Sequence, residues 1–345
     1  MARNPYTLVF GKTPVQEIAR LVQTQEVCET FLDDAPSQQV YMITGVRGSG
    51  KTVFMNEIAR RISSEKKWVV VELNPAKDLL LSLAAKLYNE NSLTSIFKKA
   101  KINLSYFGIG IEIDRAEPVT DIEVALTRML EQLQKQGKRV LVAIDEVTSN
   151  TEMRVFASAF QIFIRKDLPL FLLMTGLYEN IDALQNVDIL TFLHRAPKIW
   201  LKPLQQISIA SQYQKTFHLN DADAKNMAII TRGYPFAFQV LGYYTYENGG
   251  DYHAALPDTK QYLAEYVYDK IWSELSRTDR QVLSATTSVK DGKVSEIRSI
   301  LKMESNEFSP YRDRLIKRGI ISGDERGYVR FMLPFFEEYV DSHSA

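Results

Sequence analysis

The sequence predicts an α/β fold: a parallel sheet with crossover helices, then an all-helical segment and a smaller C-terminal module. Two observations carry this. Short apolar runs alternate with amphipathic helical runs up to about residue 202, the pattern that builds βαβ units. Beyond Pro203 the helical patterns continue to about Ser273 without a strand-like run.

In chain order, residues 15–34 read as one helix, with Ile18, Leu21, Val22 and Phe31 as apolar anchors. A polar linker, Asp33 to Ser37, precedes the apolar run Val40–Ile43, which reads as a buried strand. Phe54, Ile58 and Ile62 then recur every four residues, flanked by Met55 and Ala59, giving a helix with one buried face. Trp68–Leu73 is a second strand and Leu79–Tyr88 a helix. Residues 121–136 form another helix, which Gly137 stops. Arg139–Ile144 is the third strand, 152–165 a helix, Leu168–Thr175 the fourth strand and Lys198–Leu201 a short fifth.

One segment breaks the alternation. From Ile102 to Ile113 apolar residues fall on every second position on both sides of Phe107 and Gly108, which reads as a β-hairpin or arm inserted at about 101–114. It is uncharged apart from its ends, which favours a structural hairpin over a contact arm.

After residue 203 the turn Gly233, Tyr234, Pro235 restarts a helix, since proline suits the first helical turn. From about Arg277 the order is helix (279–286), helix (294–301), helix (307–318, closed by Gly319), then strand, turn, strand over 320–331. That is the order of a winged helix. The expected domains are therefore 1–202, 203–273 and 274–345. Between residues 310 and 330 there are six basic and three acidic side chains. Arg312, Arg314, Lys317 and Arg318 lie on the third helix and Arg326 on the wing, a set suited to duplex DNA, with phosphate contacts supplying most of the affinity. The same module used for protein contacts is the other reading.

The totals exclude several classes. Lys+Arg and Asp+Glu are both 42, so no global field steers the chain to nucleic acid. A single cysteine, Cys28, excludes a disulfide framework and reads as a small buried residue. Four scattered histidines make a zinc site improbable. No apolar stretch is long enough to span a bilayer and the N-terminus lacks a signal pattern, so a cytoplasmic location without membrane contact is expected.

Chemistry concentrates at Gly45, Val46, Arg47, Gly48, Ser49, Gly50, Lys51 and Thr52, which fit G-x-x-x-x-G-K-[ST] at every fixed position between a strand and a helix. Glycines let the backbone curl, and successive N–H groups then hold phosphates at a helix N-terminus. Lys51 is expected on the β- and γ-phosphates and Thr52 on Mg2+, with Val53 completing the nucleotide-binding stretch. The third strand ends in Asp145 and Glu146, at the strand tip where α/β ligands bind. Asp145 is expected to hold the metal through water, and Glu146 to orient the attacking water.

These motifs resemble the AAA+ and STAND groups of P-loop ATPases, and most of all prokaryotic ATPases related to origin-recognition initiators. The resemblance covers nearly the whole chain, and implies a three-layer core, a helical lid and a C-terminal winged helix. It implies ATP or ADP with Mg2+ as ligands, and a switch driven by hydrolysis. It places Thr175 as the γ-phosphate sensor at the end of the fourth strand, and Arg195 as a finger reaching a neighbour's nucleotide in a homo-oligomer. It places Pro235 near the nucleotide base, and the segment from Pro5 to Gly11 along the adenine pocket. The lid departs from the family pattern in having no clear sensor arginine besides Arg232.

Overall fold

The computed structural model describes residues 3–9, 14–110 and 116–344. They form two compact units. One comprises residues 20–44 and 51–200; the other comprises 1–19, 45–50 and 201–345.

Among the described residues the first unit holds a five-stranded sheet, all parallel, of β1 (Val40–Thr44), β2 (Trp68–Leu73), β3 (Arg139–Ile144), β4 (Leu170–Gly176) and β5 (Lys198–Trp200), in the order β2-β3-β4-β1-β5. Its helices are α1 (Leu21–Leu32), α2 (Lys51–Ser63), α3 (Leu79–Asn89), α4 (Asn91–Lys99), α5 (Ile122–Lys135), α6 (Thr151–Arg165) and α7 (Tyr178–Gln185).

Alternate strand residues face opposite layers. Met42, Val71, Val142, Leu172 and Met174 share a core with α3, α5 and α6. Tyr41, Trp68 and Phe171 face the other way and pack around Phe31 of α1, Trp68 stacked and the other two edge-on. Each fully buried side chain of this size contributes about 1.5–3 kcal/mol. Side-chain caps start the helices where the sequence turns polar: Asp78 accepts from Leu81 N–H, Asp121 from Val124 and Asn150 from Met153. Helix α2 buries Phe54, Met55, Ile58, Ala59 and Ile62, the stripe read from the sequence.

The first helix is shorter than the apolar pattern implies. It begins at Leu21, and the stripe it buries is Thr24, Val27, Cys28 and Phe31. Leu21 and Val22 are exposed: Leu21 only opens the helix, and Val22 lies off that stripe.

The expected hairpin is absent from the described residues of its segment. Residues 102–110 hold one 3-10 turn, Ser105–Phe107, and no strand; residues 111–113 lie outside the described residues. Ile102, Leu104 and Ile109 instead enter the core with α3, α4 and α5. Asn103 closes the loop, donating to Ala116 O at 2.8 Å and accepting from Ser105 N–H at 3.0 Å. Over residues 102–110 the apolar alternation therefore records core insertions along an irregular chain, not strand pairing.

The second unit holds α8 (Gln206–Phe217), α9 (Asp221–Ile230), α10 (Pro235–Glu247), α11 (Leu256–Leu263), a π-turn (Ala264–Tyr268), α12 (Asp269–Ser273), α13 (Arg277–Thr287), α14 (Val294–Leu301), α15 (Ser305–Lys317) and α16 (Phe336–Ser342), with antiparallel β6 (Ile321–Ser322) and β7 (Arg330–Phe331). One hydrophobic core runs through residue 273. It joins Tyr234, Val240, Val267 and Ile271 to Leu283, Ile297, Phe308 and Phe336. Tyr6 is 2% exposed and packs with Tyr213 and Phe238, so this side chain belongs to the unit's interior.

Gly233 makes a specific demand here. Its φ is +74°, and an added Cβ would lie 2.5 Å from the Leu204 carbonyl oxygen and 2.8 Å from Pro203 Cβ. The Leu204 N–H donates to Gly233 O at 2.7 Å, so the two segments have no room to part. Gly233→Ala is expected to cost about 2–4 kcal/mol, combining left-handed strain with overpacking. At Gly137 the φ is +64° and an added Cβ meets nothing, so Gly137→Ala should cost about 1–2 kcal/mol from strain alone. Thermal or urea unfolding of the two variants checks the difference.

Candidate nucleotide site

The first unit assembles a hydroxyl–carboxylate cluster from three elements. Asp145 follows the last residue of β3, Thr175 stands near the end of β4, and Thr52 sits in the first turn of α2. Thr52 Oγ1 donates to Asp145 Oδ2 at 2.7 Å. Thr175, fully buried, donates its hydroxyl to Asp145 Oδ1. The Glu146 N–H donates to both Asp145 Oδ1 and Thr175 Oγ1 at 3.1 Å. Sequence-adjacent and sequence-distant predictions thus meet on one carboxylate. Thr175 orients Asp145 and the Glu146 backbone, a role its position in the sequence does not announce.

Glu146 has φ +53°, a left-handed conformation that costs a non-glycine residue about 1–2 kcal/mol. Its two N–H bonds over-determine that geometry and leave the carboxylate exposed at the sheet's C-terminal edge. The Thr52–Asp145 oxygen separation of 2.7 Å is that of an ordinary hydroxyl–carboxylate hydrogen bond. The donors are hard oxygens and few, as magnesium prefers; substrate phosphates and water complete such a shell.

The preceding part of the motif, residues 45–50, belongs to the second unit. Gly48 and Gly50 take φ of +76° and +85°, and the Ser49 N–H turns back to Val46 O at 3.1 Å. A Cβ on Gly45 would lie 2.6 Å from Ser49 Oγ. The Tyr234 hydroxyl donates to the Arg47 carbonyl at 2.6 Å, and Arg47 pairs with Glu274 at 3.1 Å. Burial pushes the Tyr234 phenol well above the usual tyrosine range, with the Arg47 cation opposing, so Tyr234 remains a donor at any physiological pH. Pro235 opens α10, and its Cβ is 3.9 Å from a Cβ built on Gly50. Sequence reasoning named Pro235 as a nucleotide-binding residue and gave no such role to Tyr234 or Glu274. The turn around Gly233 was the available signal for the first; nothing in the sequence pointed to the second.

The remaining predicted residues are placed as follows. Lys51 begins α2, with Val53 in the same turn. Arg195 ends the 3-10 segment Asp188–Arg195 and is exposed. Arg232 donates to the Phe331 and Leu333 carbonyls at 2.8 and 3.3 Å, so its guanidinium serves the C-terminal ribbon.

The C-terminal cations are largely engaged within their own unit. Arg314 donates to the buried Asp279 at 2.6 and 3.1 Å, Arg312 pairs with Asp313 at 3.2 Å, and Arg318 donates to Glu274 O at 3.3 Å. Arg330 pairs with Glu325 at 3.0 Å. Lys317 and Arg326 are exposed.

Residues 28–166 match a family model described as an ATPase domain predominantly from Archaea, and residues 265–340 match a domain of unknown function. No curated protein matches the chain. Among solved structures, a Walker-type ATPase of Pyrococcus abyssi is 16% identical with a TM-score of 0.64, covering 93% of this chain and 95% of that one. The ORC2 protein of Aeropyrum pernix, in complexes with ADPNP and ADP, is 12% identical with a TM-score of 0.61, covering 97% of each chain. The resemblance to P-loop ATPases related to origin-recognition proteins is borne out, and the fold is the α/β one that it implies.

Proposed function

We propose that the chain is an ATP-binding and ATP-hydrolysing switch whose C-terminal module, of winged-helix order, is its output. The observation that carries this is the convergence of Thr52, Thr175 and the Glu146 N–H on Asp145, next in sequence to a complete phosphate-loop motif. That an origin-recognition protein of the same fold was crystallised with ADPNP and ADP supports the choice of nucleotide.

In this reading the N–H groups of residues 45–50 and the Lys51 ammonium bind the β- and γ-phosphates. Thr52 would hold Mg2+ and Asp145 would hold it through water, and the ion would supply charge neutralisation at the phosphate oxygens. Glu146 accepts a hydrogen bond from the attacking water and aims it at the γ-phosphorus. Thr175 holds Asp145 and the Glu146 backbone in register. The exposed Arg195 is available to a neighbouring copy; a finger of this kind is worth ~10³–10⁵ in rate, so turnover should rise with protein concentration. ATPase turnover measured across protein concentration, with and without Mg2+, tests the reading. Turnover that needs no Mg2+ would sink it.

The choice of output partner turns on which cations are engaged within the unit. Arg314, Arg318 and Arg330 are engaged internally, which favours a protein partner over DNA. The DNA reading rests on Lys317 and Arg326, with Arg312 half-exposed. Its expected signature is weak duplex binding with a log–log salt slope of about −2 to −3, reduced by about two in a Lys317→Glu, Arg326→Glu variant. No duplex binding at low salt removes DNA as the partner. No helix among the described residues is long and apolar enough to cross a membrane.

A further inference from the structure

The phosphate loop is gripped from its carbonyl side. Tyr234 Oη donates to Arg47 O at 2.6 Å, and a Cβ on Gly48 would lie 2.1 Å from that same hydroxyl, so only glycine admits the phenol. In a phosphate-binding turn the N–H groups point into the concavity and the carbonyls away from it. Tyr234 therefore braces the loop without taking the place of a phosphate.

A second grip is ionic. Arg47 Nη2 is 3.1 Å from Glu274 Oε1, with side chains 25% and 34% exposed. Glu274 caps the C-terminus of α12 and also holds Lys270 at 3.3 Å. Its carbonyl accepts from Arg318, and the neighbouring Gly319 lies against Val46. One residue thus bonds to the loop through its side chain and to the end of α15 through its backbone.

We infer that Tyr234 and Glu274 are positioning residues for the phosphate loop, and that the Arg47–Glu274 pair is the link by which nucleotide occupancy reaches residues 265–340. This rests on the reading of residues 45–52 as the ATP site. A triphosphate brings negative charge to the loop that carries Arg47, and so competes with Glu274 for its guanidinium. A ligand shifts such an equilibrium only by its differential affinity for the two arrangements. ATP, with one phosphate more than ADP, shifts it further. Release of Arg47 leaves Glu274 with Lys270 alone and loosens the anchor on Arg318.

The test compares Glu274→Gln and Tyr234→Phe with the unaltered protein, by fluorescent ATP and ADP affinity and by amide hydrogen exchange over 265–340. In Glu274→Gln the affinity ratio of ATP to ADP should rise by up to about fivefold, the upper end for a partly exposed pair. Exchange in the nucleotide-free variant should match that of the ATP-bound parent. Tyr234→Phe should weaken both nucleotides by a common factor. An unchanged ratio with unchanged exchange overturns the link. So does a Glu274→Gln variant that loses both affinities in step with its melting temperature, since that marks a purely structural contact. If Glu274→Gln does not fold, the charge-swapped pair R47E/E274R carries the test: it must restore the parent's nucleotide-free protection, and failure overturns the inference. A parent protein that binds neither nucleotide overturns the reading of the loop and the link together.

Discussion

Glu146→Gln is expected to keep ATP affinity near that of the parent while hydrolysis falls by about 10²–10⁴, the usual contribution of a positioned base. Glutamine preserves the shape of the side chain, and the Glu146 N–H bonds to Asp145 and Thr175 do not depend on the carboxylate. The loss is therefore confined to water activation. Phosphate release, fluorescent ATP dissociation and a melting curve together check it, and unaltered turnover would place the base elsewhere. Glu146→Gly makes a companion test. Relief of the left-handed φ of +53° should raise stability by up to about 1 kcal/mol, with turnover lost as in the glutamine variant. A variant that gains stability as it loses activity would mark backbone strain held for function.

The second large effect is on folding. Asp279 is 2% exposed and is held by Arg314 and by the Ser276 capping box at the start of α13. Removing one partner of a buried pair costs about 3–5 kcal/mol, and the 37% exposure of Arg314 puts the loss at the low end, about 3 kcal/mol. Arg314→Ala should therefore lower the urea midpoint clearly. An Arg314→Ala protein as stable as its parent would show that Asp279 finds another partner. Loss of DNA binding in any Arg314 variant has to be read against this loss of fold.

Much of the fold was legible because its signals are local. The stripe Phe54, Ile58, Ile62 and the apolar run Arg139–Ile144 each carry their period within a dozen residues, and the elements formed where those periods said. The stretch 102–110 misled for the same reason. Period-two apolarity describes which side chains are buried, and a strand is only one way to bury them. Leu21 and Val22 misled because an apolar residue at a helix start reports propensity without reporting what lies opposite.

The site divides similarly. Gly45–Thr52 and Asp145–Glu146 are motifs whose spacing is itself chemical, so they were readable. That Thr175 donates to Asp145 depends on β3 and β4 being neighbours, which a strand list does not state. That Arg314 is spent on Asp279, 35 residues away, shows why a run of basic residues on one helix is a poor guide to a charged surface.

The brief excursion of residues 45–50 into the second unit also bears on how the chain is made. Synthesis runs from the N-terminus, and domains generally fold as units in that order. All the strands of the five-stranded sheet are complete by Trp200. The loop's Arg47 must wait for Tyr234, 187 residues later, and for Glu274, 227 residues later. Such long-range closures are slow because the chain entropy is lost before any contact repays it. A nascent chain stopped near residue 200 should therefore carry a folded sheet with an unbraced loop, and nucleotide capture should mature only as the C-terminal helices emerge.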